Sequence, residues 1–486
     1  MWKAGTVLLL LSVPTLLAQQ QPKTVMGMGI ESAVEKAGAV EVVTTGAKFE
    51  VNRQGVVECW QRIPRDRHVL RISFAPTVGP FHIQKKDAFS CTVSCRAGTL
   101  TFQGDSVVIL KTEEKTKASF EGFFQPAYHF DKEGKWIVMD AEGGFGIYPV
   151  AKKQTSEPVL AKLPWEISYA FAGGDETWVS VFPPRPFNRQ RAFAALEHDG
   201  LPAEYSPTQL EGGGAYPGND LIDAAAKHCK VYTLHAYIWQ DAPEDVKQRL
   251  TPILHTEGYA GHPQPWLTPR HVPVDMQEFI RVRDEIHRCG MKMVVYLSPF
   301  YSSAPDLFAE MQRVLDEYKV DGLYFDGISM DFRKSYAVMR RTREILGDDR
   351  ILYVHSSSDP LDDGRIYCPF IDTYADYTLR GEAGVWGLKL DDFLRWTVSG
   401  YNISNAVGYW CYYGSNRQQG YGAGAPKSGE YFDTVPTPES IDAAIRNRVF
   451  IWREGQQWSQ SKAGLAQFDS YYYGKIELLR KDQESH

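Results

Sequence analysis

Three carboxylates in the second half of the chain carry the chemistry this sequence offers. Asp326 closes the stretch Lys319 to Ser329, KVDGLYFDGIS, where a short apolar strand core ends in an acid followed by Gly327. A parallel β/α barrel presents catalytic groups in this way, at the carboxyl ends of its strands. Asp376 and Glu382 follow in FIDTYADYTLRGE, Phe370 to Glu382. Cleaving a glycosidic bond takes two carboxyl groups flanking the anomeric carbon, one as acid and the other as nucleophile or as base for a water. Asp326 is the first of the pair, while Asp321, at the opposite end of the same strand, reads as structural. The second is Glu382 or Asp376. Strand alternation sets Asp372, Tyr374 and Asp376 on one face; Glu382 lies in the following loop, close to Arg380. An arginine neighbour keeps a carboxylate ionised, which suits a base or a stabiliser. A loop can also carry Glu382 over a substrate, which places it ahead of Asp376.

Other polar and aromatic residues fall where strands end. Trp239, His355, Ser356, Arg380 and Trp410 are the candidate substrate-binding side chains. The run HSSSD from His355 to Asp359 lacks the GxSxG pattern of an activated serine, so its hydroxyls are read as hydrogen-bonding groups. A metal-dependent hydrolase barrel would alternate two histidines on its first strand, and TLHAYIW supplies only His235. Cys91 and Cys95 stand four apart on a strand, about 13 Å at about 3.3 Å per residue, too far to bridge. No second ligand pair follows them, so neither a metal nor an organic cofactor is expected. Gly143, Gly144 and Gly146 precede no strand-to-helix switch and read as a turn between strands.

These residues need a scaffold, and the hydrophobic pattern supplies two. From Val40 to about Phe182, short strands of Val, Ile, Phe and Thr alternate with period two between Gly, Asp and Lys turns, predicting an all-β sandwich. Pro183, Pro184 and Pro186 break that pattern. From Asn219 onward strands and helices alternate, which predicts parallel strands with crossover helices. YIWQDAPE carries no glycine fingerprint after the first strand, so a doubly wound nucleotide binder is disfavoured against a barrel. The expected organisation is a signal peptide over 1–18, a β-sandwich over 24–186, a connector over 187–218 and a (β/α)8-type TIM barrel over 219–486. Six barrel strands are legible, and closure to eight needs two more.

Composition narrows the partners. Lys plus Arg is 53 against 60 for Asp plus Glu, with no dense basic run, so nucleic acid is not an expected partner. Met1 to Ala18 carries Lys3 and the apolar stretch Val7 to Leu11, ending in Leu16-Leu17-Ala18 before Gln19. This is the form of an export signal, and it is too short and broken for a membrane anchor. A secreted or periplasmic protein without a membrane anchor is expected. With 12 Trp and 26 Tyr the chain is rich in rings that suit sugar-stacking clefts and thick cores equally.

Taken in order, KMVVYLSPF, VDGLYFD, YVHSSSD and IDTYADYTLRGE resemble the alpha-galactosidase-like (clan D type) superfamily of retaining glycoside hydrolases. The resemblance implies a barrel whose fourth strand ends in the nucleophile, matching Asp326, whose next strand ends in small polar residues, His355 and Ser356, and whose sixth carries the acid/base, Asp376 or Glu382. Where that family has a lysine two residues before the nucleophile, this chain has Tyr324. The reaction class therefore carries over and the galactose-type sugar does not. The expectation is a glycosidase acting on a carbohydrate substrate; the competing one is a carbohydrate-binding protein on a degenerate barrel.

Overall fold

A computed structural model gives the three-dimensional structure. It describes residues 24–186 apart from 38, 76–79, 97, 154 and 156–157; residues 202–205; 216–234 apart from 228; 240–241; 269–299 apart from 274; 302–355 apart from 327 and 329–330; 368–380; and 391, 394–395, 405–408, 442–443, 446–447, 449–451 and 474.

The amino-terminal half is built of two antiparallel sheets, of seven and eight strands. The period-two pattern becomes alternating burial. Ala47–Val51 and Val57–Gln61 alternate buried and half-buried residues, and Trp165–Phe171 alternates buried and exposed ones. Phe49, Leu70, Ile72, Phe120 and Ile167 from the first sheet and Phe102, Leu110, Val138, Phe145 and Val179 from the second make one apolar core between them. This is the expected sandwich. Gly143 to Gly146 belong to the strand Gly143–Pro149, not to a turn. A Cβ on Gly144 would lie 2.0 Å from the Val138 carbonyl oxygen, so the glycine admits a close neighbouring backbone.

Three strands of the second sheet depart from alternation. Lys135–Asp140, Gly143–Pro149 and Glu176–Phe182 are buried on both faces, because their outer face is also covered. Tyr148 and Trp178 pack edge-on against Phe370, at 4.7 and 5.7 Å between ring centroids, and Trp178 does the same against Tyr336 at 5.2 Å. Polar ties close the same junction. Arg185 Nε donates to the Thr373 carbonyl at 3.1 Å, and Tyr374 Oη donates to Asp105 Oδ2. Burial pushes the Asp105 carboxyl above the usual carboxylate range, against the opposing pull of Tyr374, Tyr336 and Arg340.

The carboxyl-terminal half holds a third, wholly parallel sheet, whose eight strands are β1 (Pro202–Tyr205), β2 (Val231–Leu234), β3 (Lys292–Tyr296), β4 (Gly322–Phe325), β5 (Ile351–His355), β6 (Tyr377–Arg380), β7 (Asn405–Gly408) and β8 (Val449–Ile451). Their spatial order is their chain order, without the reversal of a doubly wound sheet. Two strands lie where none was expected. β1 falls inside the stretch read as connector, and β8, a VFI run of strong strand propensity, lies near the end of the alternating region.

Helices α1 (Asn219–Ala226), α2 (Met276–Arg288), α3 (Leu307–Tyr318), α4 (Phe332–Leu346) and α5 (Pro369–Asp372) lie between strands. Asp275 and Asp306 cap α2 and α3 by accepting two backbone N–H groups each, and Asp331 caps α4. Phe279, Val282 and Ile286 of α2, Met311, Val314 and Leu315 of α3 and Phe332 and Met339 of α4 share one core with Met293, Val295, Leu323, Phe325, Leu352 and Val354 of the sheet. One face of the parallel sheet is thus apolar and covered by helices.

The segment Phe370 to Glu382, expected as one strand, divides. Pro369 opens the single turn α5, and Asp372 Oδ2 accepts the Cys368 N–H at 2.9 Å. Asp372 and Asp376 therefore do not share a strand face. Among the described residues no disulfide joins the six cysteines, with Cys91 and Cys95 on one strand, and no helix is long and apolar enough to cross a membrane.

Candidate active site

The other face of the parallel sheet carries polar and aromatic side chains in layers. Strand register pairs Tyr296 with Tyr324, Tyr324 with Tyr353 and Tyr353 with Tyr377, so four tyrosines form a row across β3 to β6. Their ring centroids are 5.7, 4.7 and 6.0 Å apart along the row. Side chains two residues apart on a strand share a face. One step beyond the tyrosines, toward the carboxyl ends, come Ser298, Asp326 and His355.

Asp326 and His355 meet through their side chains, and Ser298 reaches the Asp326 backbone. Asp326 Oδ1 lies 2.9 Å from His355 Nδ1, and Tyr296 Oη donates to Oδ2 at 3.4 Å. Ser298 Oγ donates to the backbone carbonyl of Asp326 at 2.5 Å, and the Leu297 N–H donates to the Tyr324 carbonyl at 3.0 Å. The loop after β3 is thereby tied to the end of β4. The Asp326 side chain is 25% exposed and that of His355 8%, so the carboxylate reaches solvent while its partner is enclosed. A fixed, ionisable carboxylate over an aromatic floor can act as a nucleophile or as a base.

Asp321, at the opposite end of the strand, is structural as expected: its Oδ2 accepts from the Met293 N–H and contacts His287 Nε2, both at 2.8 Å. Asp376 is placed away from Asp326. It precedes β6, at the amino ends of the strands, and its side chain is 2% exposed. Its Oδ2 accepts from Arg343 Nη2 at 2.7 Å and from the Leu352 N–H at 2.9 Å. Arg343 is itself fully enclosed and also donates to the carbonyls of Tyr374, Gly347 and Arg350. That set of contacts staples α4 to the bottom of the sheet and leaves Asp376 no path to a substrate at the top.

Glu382, Trp239, Ser356 and Trp410 lie outside the described residues, and Arg380 is described only as the last residue of β6. Sequence reasoning missed Tyr296 and the tyrosine row, while Ser298 is legible as a polar residue at a strand end. The signal was present: Tyr296-x-Ser298, Tyr324-x-Asp326 and Tyr353-x-His355 repeat one spacing on three successive strands. One further group, Asp223, Glu285 and Cys289, has metal-like spacing. Arg288 Nη2 already bonds Asp223 Oδ1 at 2.7 Å and Glu285 Oε1 at 2.6 Å, supplying the positive charge there.

No family model matches the chain, and no curated protein matches it. Among solved structures, a family 5 glycoside hydrolase from Prevotella bryantii, with bound xyloglucan tetradecasaccharide, is 9% identical, with a TM-score of 0.35 over 59% of this chain and 98% of that one. A maltogenic alpha-amylase from Thermotoga neapolitana is 9% identical, with a TM-score of 0.26 over 41% of this chain and 52% of that one. A YidC insertase is 8% identical, with a TM-score of 0.21 over 36% of this chain and 45% of that one. The chain thus spans about half the length of the last two structures. Likenesses this loose carry no argument about function, and the site has to be argued from its own geometry.

Proposed function

We propose that the protein hydrolyses a glycosidic bond with retention of configuration, at the carboxyl ends of the parallel strands. The observation that carries this reading is Asp326. It stands at the end of β4, half-buried, with its carboxylate held by His355 and approached by Tyr296. Asp326 attacks the anomeric carbon, and Glu382 protonates the leaving oxygen and then activates the water that releases the sugar. Trp239, Ser356, Arg380 and Trp410 are the substrate-binding residues of this reading.

The scaffold belongs to the same proposal. Eight parallel strands in chain order, with the polar face turned away from the helices, support closure into a (β/α)8 barrel. The chain would then consist of a signal peptide over 1–18, a sandwich to residue 186 and the barrel, which takes β1 from the connector. The protein acts outside the cytoplasm on a carbohydrate substrate.

The test is Asp326→Asn against a panel of 4-nitrophenyl glycosides, with the anomer of the first product read by NMR. A loss of turnover on the order of 10⁴-fold or more is expected for a nucleophile, with retention in the parent. Undiminished turnover in the variant overturns the assignment. Saccharide binding without turnover by the parent favours the carbohydrate-binding alternative.

A further inference from the structure

Asp105 stands in the turn between the sandwich strands Gly98–Gln103 and Val107–Thr112. A turn aspartate is ordinarily hydrated. This one is 3% exposed, because α4 and the residues that follow α5 lie over it. The turn is held too firmly to carry the carboxyl away. The Ser106 N–H donates to the Gln103 carbonyl at 3.0 Å, and Ser106 Oγ lies 2.8 Å from Thr44 Oγ1. A Cβ on Gly104 would lie 2.6 Å from the Gly29 Cα, so the backbone on that side is already in contact.

The groups facing the carboxyl belong to the other half of the chain. Tyr374 Oη donates to Asp105 Oδ2, while the Tyr374 carbonyl accepts from Arg343 Nε at 3.0 Å and from Arg343 Nη2 at 2.7 Å. One residue thus links the sandwich turn to α4. Tyr336 and Arg340, one helical turn apart on α4, also act on the carboxyl. Arg340 directs its guanidinium elsewhere. Its Nη1 donates to Gln103 Oε1 at 3.3 Å, the group lies 4.0 Å from the centre of the Phe89 ring, and Nε lies 3.5 Å from Glu344 Oε1. Burial, reinforced by the Asp105 charge, lifts the hydroxyls of Tyr336 and Tyr374 well above the usual tyrosine range. Both therefore keep their protons while Asp105 changes its charge.

We propose that the junction between the halves is a proton-controlled latch: with Asp105 neutral, α4 and Tyr374 sit closed on the sandwich turn, and loss of that proton loosens them. A carboxylate enclosed here costs far more when ionised than when neutral, since the nearby guanidinium is engaged with other groups. Opening admits water to the carboxylate, and the proton passes to solvent. Burial raises the folded carboxyl above its unfolded value of about 3.9. Closure is therefore fully supported below that pH and weakens as pH rises toward the folded value. The latch is independent of the reading of Asp326, and its tests need no substrate.

Hydrogen exchange of the full chain, corrected for its intrinsic pH dependence, reads the opening of α4. Above about pH 4 the protection of α4 in the parent should fall by up to about tenfold per pH unit, as one proton is released at each opening. Asp105→Asn should hold that protection constant over the same range. The strand Ala47–Val51, in the separate core of the sandwich, should not follow the fall. Parent protection independent of pH, an equal slope in Asp105→Asn, or an equal fall in Ala47–Val51 overturns the latch.

Trp178 provides a second reading that does not require Asp105→Asn to fold. Its ring centroid is 5.2 Å from that of Tyr336 and 5.4 Å from that of Phe332. In the full chain labelled with fluorotryptophan, the Trp178 fluorine resonance, assigned with Trp178→Phe, should titrate with a midpoint above about pH 3.9. Tyr374→Phe removes a donor to the ionised carboxylate and should move that midpoint to higher pH. A midpoint that stays or falls in Tyr374→Phe, or a titrating Trp178 beside unchanging protection of α4, overturns the proposal.

Discussion

Asp326 and Asp376 stand at opposite ends of one parallel sheet and illustrate two uses of the same side chain. At the carboxyl ends Asp326 is partly open to solvent, with His355 and Tyr296 among its side-chain contacts. At the amino ends Asp376 is enclosed with Arg343 and accepts from a backbone N–H as well. A buried carboxylate facing a guanidinium and an amide is satisfied and has no reactive oxygen to offer. One that reaches a solvent boundary remains available for chemistry. Position along the strand, which sequence spacing does show, separates the two before any contact is considered.

The sharpest way to break this contrast is to exchange the consequences of mutation. Asp326→Asn should abolish turnover, by on the order of 10⁴-fold or more, while leaving the thermal midpoint within about 2 °C of the parent, since loss of one partly exposed contact shifts stability little. At the other end, Arg343→Met strands the Asp376 charge in the core and should cost about 3–5 kcal/mol of stability by urea unfolding. Turnover per folded molecule should then stay near the parent's; a specific loss of turnover would return Asp376 to the site. Smaller again is Gly322→Ala at the start of β4, where a Cβ would lie 2.3 Å from the Ile351 carbonyl oxygen. Pushing β4 and β5 apart should cost about 1–3 kcal/mol in the same assay, and unchanged unfolding would show that the strands yield freely.

The smallest expected effect concerns a third aspartate, Asp105, at the junction between the halves. Its carboxyl is raised in the folded protein by burial. The folded state therefore holds a proton that the unfolded chain releases above about pH 3.9. Its contribution to stability is most favourable below that pH and declines as pH rises toward the folded value. Asp105→Asn removes this decline, so the urea midpoint of the variant relative to the parent should rise as pH increases above about 4. Parallel profiles would mean that Tyr374, Tyr336 and Arg340 fully compensate the burial.

Much of this organisation was legible in the residues. The alternating strands of the sandwich and the contrast between Asp321 and Asp326 both follow from local pattern, because each depends on which side of one element is buried. What was not legible depends on partners distant in sequence. Asp376 looked available because its neighbours suggested one long strand. The features that decide its function are Arg343, 33 residues earlier, and the helical turn begun at Pro369. β1 and β8 are short, and it is their pairing partners that identify them as strands. The sandwich strands with two buried faces gave the same difficulty, since their second face is explained only by the helices it meets.

That doubly buried sheet has a consequence for the ancestry and engineering of the chain. Tyr148, Trp178 and Phe182 belong to the same core as α4, α5 and the parallel strands. Severing the chain near Pro183 to Pro186 would uncover a broad aromatic patch on each fragment, the kind of surface that drives proteins to aggregate. The sandwich is therefore not a detachable appendage. Expressed or transplanted alone, either half would carry that exposed aromatic surface.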